Sequence, residues 1–205
     1  MKVLIVCSYN KGSISRFVHN QVESVKRYGI HTEYFLIQGK GLYGYLTNFA
    51  RLRKEINEFK PDIIHAHYGL SGLLAVLQRV IPVITTFHGS DINLLWVRPF
   101  SILTHYLCKR SVFVCQKLVD LARAAKDYSI IPCGVDLDCF YPRDLQESRK
   151  ELGFLADAKL ILFSGAFNNK VKNYPLAKKA VNYINESNKL QQPVELIELK
   201  GYSSE

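Results

Sequence analysis

Length, composition and charge exclude several classes of protein. The chain has 205 residues, 48% hydrophobic and 22% charged, which is the balance of a globular protein that buries a core without disulfide bonds. Its net charge of +9 attracts anions, but the lysines and arginines are scattered, which argues against a disordered nucleic-acid-binding tail. No apolar stretch reaches the ~20 residues of a membrane-spanning helix. Five cysteines without a C-x-x-C pair are typical of a reducing compartment, so we expect a cytoplasmic protein that binds no nucleic acid.

Apolar runs and amphipathic segments alternate up to residue 132. Residues 2–8 form a β-branched run typical of a strand buried on both faces. Ser13 can cap the next helix, which Gly29 ends, and its inward face is predicted to be Ile14, Phe17, Val18, Val22 and Val25. Further strands are predicted at 31–37, 62–67, 83–87, 111–115 and 128–132, and helices at 45–59, 70–79, 99–109 and 117–125.

Three glycines and a charged segment mark the connections. Gly39, Gly41 and Gly44 predict a flexible connection before a helix with Leu46 on its inward face. The polar residues 143–158 predict a linker with a short helix, followed by a strand at 159–164, a helix at 173–188 and a strand at 194–199. We therefore predict a domain over 1–142, the linker, and a partial second domain over 159–205. One continuous domain with extra strands is the alternative.

Strands that alternate with amphipathic helices predict an α/β fold. We expect a Rossmann-like parallel sheet with helices on both faces. In such sheets ligands bind beyond the carboxyl ends of the strands. The polar and glycine-containing segments 10–13, 65–69, 88–91 and 133–136 all fall at such ends, so a site is predicted at this rim.

The side chains at the rim permit more than one chemistry. Gly12, in the segment Asn10 to Ser13, lets backbone N–H groups approach an anion, although a plain tight turn is an equal alternative. His65 and His67 share a face of their strand, and with His88 and Asp91 they offer metal ligands. Hydrogen-bonded core and rim histidines are the favoured alternative to this metal site.

His88 stands at the tip of an apolar strand. There it can accept a proton or hydrogen-bond a sugar hydroxyl, or it can belong to a structural turn. Gly89 allows close backbone approach, and Ser90 or Asp91 can cap the next helix. Further along, Gly134 and Asp136 mark a tight loop, which by itself indicates only a connection.

Five segments together resemble the retaining glycosyltransferases of family 4, which have the two-domain GT-B fold. They are KVLIVCSYNKGSISRFV, FKPDIIHAHYGLSGLLA, PVITTFHGSDI, IIPCGVDLDCFYP and ILFSGAFNNKVKNYPLAKKAV. The resemblance implies transfer of a hexose from a nucleotide-sugar to a glycan or lipid-linked acceptor with retention, in cell-surface polysaccharide synthesis. It implies no metal and no cofactor besides the donor substrate. The basic charge adds an expected peripheral contact with an anionic membrane.

The resemblance also assigns residues. It implies that His88 is catalytic and contacts the transferred sugar, that Gly12 and Ser13 approach the donor phosphates, and that Lys172 neutralises the donor pyrophosphate. Gly134 and Asp136 match the loop before the hinge. The residues assigned to substrate binding are Gly12, Ser13, His67, Gly89, Asp91, Gly134, Asp136 and Lys172.

Two departures from the family pattern lower the expected activity. Ala166 stands where the family has an arginine after the glycine that matches Gly165, and losing such a charged contact costs roughly 1.5–3 kcal/mol. The family's distal glutamate-rich motif lies beyond residue 205, so we expect little activity from this chain alone. A nucleotide-sugar epimerase, a non-catalytic binding module and, more remotely, a metal hydrolase remain as alternatives.

Overall fold

Six parallel strands form one sheet, as the sequence predicts. In the computed structural model, which describes residues 1–9, 12–125, 127–187 and 192–199, the sheet order is β2-β1-β3-β4-β5-β6. The strands are β1 Lys2–Ser8, β2 His31–Ile37, β3 Ile63–His67, β4 Val83–Phe87, β5 Arg110–Phe113 and β6 Tyr128–Ile130. Each pair in the sheet is parallel. The predicted α/β fold with a Rossmann-like parallel sheet is therefore confirmed.

Helices connect the successive strands and lie on both faces of the sheet. They are α1 Arg16–Lys26, α2 Gly41–Leu46, α3 Phe49–Phe59, α4 Gly69–Val76, α5 Ser90–Asn93, α6 Arg98–Leu107 and α7 Gln116–Ala122. Alternation along β1 places Leu4 and Val6 in a core with α3 and α4, whereas Val3 and Ile5 pack against α1 on the opposite face. The sheet is thus buried between layers, which explains its apolar strands.

Helix α4 packs closely against α6 because two glycines of α4, Gly69 and Gly72, face α6. A Cβ atom built on Gly69 would stand 1.9 Å from the hydroxyl oxygen of Ser101. One built on Gly72 would stand 2.5 Å from Cγ2 of Thr104 and 2.7 Å from the side chain of Thr85. The hydroxyl of Thr104 donates to the carbonyl of Gly69 at 2.9 Å, which fixes this contact between the helices.

The start of the first helix differs from the prediction. Helix α1 begins at Arg16, and Ser15 rather than Ser13 occupies the N-cap position, without a side-chain capping bond. Ser13 is exposed, so its assignment as the cap is wrong. Phe17 is 58% exposed and does not belong to the inward face, which is formed by the buried Val18 and Val22. Gly29 follows the helix with a φ of 75°, as a helix-ending glycine should.

The glycine-containing connection after β2 is partly helical. Helix α2 occupies residues predicted to be a flexible loop, and α3 begins only at Phe49. Asn48 stands between them, and its amide group donates to the carbonyls of Gln38 at 2.8 Å and Gly44 at 2.7 Å. These bonds stabilise a break that splits the predicted helix 45–59 in two, and Leu46 is 40% exposed rather than inward.

The chain divides into two compact units, Met1–Val135 and a second that begins at Asp136. The second contains α8 Leu145–Glu151, β7 Lys159–Phe163, a 3₁₀ turn Lys170–Lys172, α9 Tyr174–Glu186 and β8 Val194–Glu198. Strands β7 and β8 pair in parallel, and Asp144 caps α8 through two backbone N–H groups at 2.9 Å. Among the described residues of this unit only Val181 is buried. In the described ranges no helix is long and apolar enough to span a bilayer.

Candidate functional site

The strand order creates a crevice between β1 and β3. The chain leaves β1 toward β2 on one side and leaves β3 toward β4 on the other. Loops that diverge in this way open a gap beyond the carboxyl ends of the strands, where ligands bind in open α/β sheets. The residues beside this gap are Tyr9, which ends the described part of the β1 loop, and His67 and Tyr68 at the end of β3.

Three histidines, His65, His67 and His88, form a row beside this crevice. In the parallel register His65 lies beside Ile5, and His67 lies beside Thr86, two residues before His88. The ring centroids of His65 and His67 are 4.4 Å apart, and those of His67 and His88 are 5.3 Å apart. The structure therefore brings the predicted residues His67 and His88 into direct contact.

Each of these rings has a defined polar contact. Nδ1 of His67 lies 3.0 Å from Nε2 of His88, and Nε2 of His65 lies 2.8 Å from the hydroxyl of Thr86. In the part of the chain that the structure describes, Nε2 of His67 and Nδ1 of His88 are buried without a hydrogen-bond partner. Unpaired buried nitrogens are rare because they have lost water without a replacement, so they indicate a place for a ligand.

Burial keeps all three imidazoles neutral near pH 7. Desolvation lowers the pKa of His65 and of His88 to about 4, and lowers the pKa of His67 well below its usual value. Neighbouring imidazoles reinforce the shift for His65 and His67, since a second positive charge in the row is unfavourable. Each ring therefore offers one N–H donor and one lone pair.

Tyr68 closes the crevice and was missed by the sequence analysis. Its backbone has φ 71° and ψ 150°, a region that is essentially restricted to glycine and costs roughly 1–3 kcal/mol. Its ring centroid lies 4.7 Å from that of His88, and its hydroxyl hydrogen-bonds with Ser15 at the start of α1. Tyr68 thus joins the loop after β1 to the His88 loop. The only signal in the sequence was its position directly after the two histidines.

Asp91 ties two loops of the rim together. Its carboxylate accepts the backbone N–H of Gly89 at 2.8 Å and that of Gly69 at 3.1 Å, and its carbonyl accepts the hydroxyl of Ser101 at 2.8 Å. Burial raises the pKa of Asp91, although the backbone bonds oppose the rise. The N-cap position of α5 is held by Gly89 with a φ of 117°, so the prediction that Ser90 or Asp91 caps this helix is wrong.

The predicted phosphate loop is described only in part. Gly12 has a φ of 75°, and its N–H donates to the carbonyl of Tyr9 at 3.0 Å. Gly12 and Ser13 are exposed, whereas Asn10 and Lys11 lie outside the described residues. The segment that follows is joined to His88 through Ser15 and Tyr68, and its contact with donor phosphates stays a prediction.

The loop after β6 lies at the boundary between the units. Gly134 and Asp136 are both exposed, and Gly134 has an ordinary backbone conformation. The carboxylate of Asp136 accepts the N–H of Asp138 at 3.0 Å, as in a tight turn. Cys133 lies near enough to Tyr68 to contribute to its raised pKa, after the larger effect of burial. Cys133, which belongs to the first unit, is thus the residue of this loop that comes near Tyr68.

Lys172 belongs to the second unit. A Cβ atom built on Gly165 would stand 3.3 Å from Cγ of Lys172, so the lysine stem covers the backbone at the end of β7. Next to it, the N–H of Phe167 donates to the carboxylate of Glu198 at 2.7 Å. Ala166 lies between Gly165 and Phe167 and carries no charge. Lys172, which the sequence predicts to bind the donor pyrophosphate, lies against the same turn.

The histidine row does not have the geometry of a metal centre. Nδ1 of His67 and Nε2 of His88 point at each other at hydrogen-bond distance, so neither is free for a shared ion. The carboxylate of Asp91 is engaged by backbone N–H groups instead. Across the described ranges, no three His, Cys, Asp or Glu side chains gather in a group able to hold a metal ion.

Comparison with protein families and curated proteins gives a consistent result. Residues 2–139 match the family described as Glycosyltransferase Family 4. The protein named teichuronic acid biosynthesis glycosyltransferase TuaC of Bacillus subtilis is 32% identical over 126 residues, covering 51% of this chain and 30% of that protein. A D-inositol 3-phosphate glycosyltransferase of Thermobispora bispora is 25% identical over 144 residues, covering 60% of this chain and 34% of that protein. The chain thus spans about a third of the length of these relatives.

Solved structures share the fold at low sequence identity. Sucrose-phosphate synthase of Thermosynechococcus elongatus superposes with a TM-score of 0.70 at 13% identity, covering 96% of this chain and 70% of that one. HepE of Anabaena, in complex with UDP-glucose, gives 0.58 at 13% identity, with 97% and 69% covered. UDP-GlcNAc 2-epimerase of Methanocaldococcus jannaschii gives 0.56 at 12% identity, with 100% and 75% covered. At such low identities these similarities support the fold alone.

Proposed function

This chain belongs to glycosyltransferase family 4, and we propose from this that its complete protein transfers a hexose from a nucleotide-sugar to a glycan or lipid-linked acceptor. We infer retention of the anomeric configuration and a role in cell-surface polysaccharide synthesis. In this proposal the first unit binds the acceptor, and the second unit contributes to binding of the nucleotide-sugar. The similarity to TuaC, whose name refers to teichuronic acid biosynthesis, supports the polysaccharide role.

One observation carries the proposal: His88 lies in the β1–β3 crevice with His67 and Tyr68 packed around it. In sugar transfer the leaving group is a nucleoside diphosphate, and negative charge grows on its phosphates in the transition state. Backbone N–H groups and fixed cations stabilise such charge. A neutral imidazole suits the other end of the donor, because it can hydrogen-bond a sugar hydroxyl without adding charge of its own.

A transfer assay on the complete protein, expressed from its whole reading frame, tests this role of His88. We expect His88→Ala to lower kcat by about 10²-fold or more, the scale of losing one positioned catalytic group. His31→Ala is the matched control, because His31 is exposed at the opposite end of the sheet, where β2 begins. Equal transfer by wild type and His88→Ala would remove His88 from the site.

The donor side rests on Lys172. Its position against Gly165, at the end of β7, suits an ammonium group that pairs with a pyrophosphate. We expect Lys172→Ala to raise the KM for the nucleotide-sugar by about tenfold to a hundredfold, with a smaller change in the acceptor KM, since a lost charged hydrogen bond costs about 1.5–3 kcal/mol. Lys179→Ala, an exposed lysine on α9, is the control. An unchanged donor KM would contradict this assignment.

A peripheral contact with an anionic membrane is also proposed. The turn before α6 exposes Leu95 by 75% and Trp96 by 61%, and Leu107 on α6 is 54% exposed. Indole rings and leucines partition into the bilayer interface. Lys109 and Arg110 follow α6 after the buried Cys108, and each basic residue near an anionic surface adds about 1 kcal/mol of attraction. With a net charge of +9, this surface suits the cytoplasmic face of a membrane that carries a lipid-linked acceptor.

Vesicle co-sedimentation tests the membrane contact. We expect the protein to pellet with phosphatidylglycerol vesicles and to stay in solution with pure phosphatidylcholine. The double variant Leu95→Ala/Trp96→Ala should lose most of this binding. Tyr28→Ala removes an aromatic side chain that is 85% exposed elsewhere and should bind like wild type. Binding that the double variant retains would exclude this surface.

An epimerase is the second candidate, favoured by the shared fold of a UDP-GlcNAc 2-epimerase. Incubation of the complete protein with UDP-GlcNAc and analysis for the epimer separates the two reactions. A non-catalytic binding module would instead bind nucleotide-sugar in calorimetry and turn over none of it. We also expect residues 1–205 alone to show little transfer, and strong donor binding by this chain alone would oppose that expectation.

A further inference from the structure

Two neutral imidazoles share one hydrogen bond in the crevice. Nδ1 of His67 and Nε2 of His88 are 3.0 Å apart. Because a neutral imidazole carries one N–H and one lone pair, one ring must donate here and the other accept. The direction of this bond therefore decides which nitrogen of His88 carries its proton, and what the other nitrogen offers to a ligand.

The chemistry of the two rings favours one direction. If His88 donates from Nε2, both rings hold their protons on Nε2, which is the intrinsically more stable tautomer of a neutral histidine. If His67 donates from Nδ1, both rings must adopt the less stable tautomer. Either direction leaves one buried N–H and one buried lone pair unpaired, so the cost of unpaired atoms is similar and the tautomer preference decides.

We propose that His67 is a positioning residue that accepts from Nε2–H of His88 and so leaves the lone pair of His88 Nδ1 to accept a sugar hydroxyl. This deepens the proposed glycosyl transfer and rests on it for the identity of the ligand. Within the described residues Nδ1 of His88 has no protein partner. The ligand hydroxyl would satisfy this nitrogen, which no neighbouring group now does.

The surroundings of His88 hold its ring in this orientation. The ring packs between His67 and Tyr68, with centroid distances of 5.3 Å and 4.7 Å. His67 is itself fully buried and stacked on His65, which is hydrogen-bonded to Thr86. Turning the His88 ring over would place a carbon atom against His67 and lose the bond. The group proposed to contact the sugar is thus held in place by its protein neighbours, as a preorganised site requires.

The tautomer of His88 can be measured directly in the 205-residue chain. Long-range proton–nitrogen NMR on protein labelled with ¹⁵N-histidine distinguishes protonated from bare ring nitrogens at pH 7. We expect His88 to show a single form with its proton on Nε2 and a bare Nδ1. A proton on Nδ1, or averaged signals from a mixture of tautomers, overturns the proposal without the need for any variant.

Two substitutions at His67 then test its role. His67→Asn keeps an acceptor, because the asparagine carbonyl oxygen takes about the place of Nδ1, whereas His67→Leu removes it. We expect His88 to stay in a single tautomer in His67→Asn and to become a mixture in His67→Leu. His31→Gln is the control, since it alters a histidine that is exposed where β2 begins and makes no contact with the row. A single unchanged tautomer in a folded His67→Leu protein contradicts the proposal, and thermal melting establishes that each variant is folded.

Kinetics of the complete protein separate this role from the overall function. We expect His67→Leu to lower kcat by about tenfold to a hundredfold, with the donor KM roughly unchanged, because misplacement of a reacting group costs rate on this scale. His67→Asn should recover most of the loss. If wild type transfers no sugar, the proposed function fails while the tautomer measurement still stands. If wild type transfers sugar and His67→Leu matches it, the positioning role fails.

Discussion

The two units of the chain build their predicted site residues in different ways. In the first unit His67, His88 and Asp91 are surrounded by a buried sheet, and each makes a defined contact with a neighbouring loop. In the second unit Lys172 is exposed on a short turn, and among the described residues there only Val181 is buried. The comparison teaches that a core, more than the identity of the functional residues, determines how rigidly a site is held.

The largest expected effect is the loss of stability when a buried core residue of the first unit is replaced. Phe87 is fully buried and stacks on Phe113 with centroids 4.9 Å apart. We expect Phe87→Ala to lower the free energy of unfolding by about 3–5 kcal/mol, because it removes the ring and leaves a cavity. Leu162→Ala in β7, where the side chain is 59% exposed, should cost under about 1 kcal/mol. Urea denaturation of the chain measures both, and similar losses would erase the contrast.

Removing one carboxylate from each unit sharpens the comparison. Asp91→Ala leaves the buried N–H groups of Gly69 and Gly89 without an acceptor, so we expect a loss of about 2–4 kcal/mol at pH 7. Asp136→Ala removes an exposed acceptor of a single N–H, and water can replace it, so about 0.5 kcal/mol or less should be lost. The unfolding free energy in urea again decides, and a larger loss for Asp136→Ala would reverse the argument.

Acid should act mainly on the first unit, because the buried histidine row lies there. The pKa of His65 and of His88 is about 4 in the folded chain and about 6.5 when unfolded. Between these values the unfolded chain binds more protons, so stability is complete above pH 6.5 and falls as the pH drops toward 4. We expect a loss of about 2 kcal/mol per histidine between pH 7 and pH 5.

Asp91 works in the opposite direction, since burial raises its pKa and protonation on acidification favours the folded state. His65→Gln should therefore flatten the dependence of unfolding free energy on pH between 7 and 5, whereas Asp91 should contribute most at lower pH. Denaturant titrations at pH 7, 6 and 5 make the comparison. A stability that stays constant across this range contradicts neutral burial of the histidines.

The smallest expected effect concerns the hydroxyl of Tyr68. Tyr68→Phe keeps the ring against His88 but removes the hydrogen bond with Ser15, so we expect a loss of about 0.5–1.5 kcal/mol. Tyr183→Phe, where the ring is 77% exposed on α9, should change nothing measurable. Thermal melting of both variants is sufficient. An unchanged melting temperature for Tyr68→Phe would mean that the contact between the Tyr68 and His88 rings holds the strained backbone without the hydroxyl.

Most of the sheet was predictable because hydrophobic patterning determines it. Strands β1, β2 and β4 begin and end at the predicted residues, since each contains β-branched and apolar residues and is followed within two residues by a polar residue or glycine. The two-residue spacing of His65 and His67 also placed both imidazoles correctly on one face. Local patterns sufficed there because side-chain alternation along a strand follows from its backbone geometry.

The missed features depend on contacts between distant segments. The left-handed backbone of Tyr68 is unfavourable locally and is held by partners from α1 and the His88 loop. The break between α2 and α3 depends on Asn48 reaching back to the carbonyl of Gln38. The use of Ser15 instead of Ser13 shifts the helix start by two residues, and nothing in the local sequence separates these two serines. Tertiary contacts decided each case.

The glycines of α4 have a consequence for how this chain can change over evolutionary time. At Gly72 a single added methyl group would overlap both Thr104 on α6 and Thr85 in the sheet. A larger residue there would push α4 away from both α6 and the sheet. We therefore expect substitution of Gly72 to be tolerated only when both threonines are replaced by smaller residues. A saturation library screened for folded protein should therefore return glycine alone at position 72, while the exposed neighbour Leu77, whose φ of -64° is ordinary helical backbone, should accept many residues.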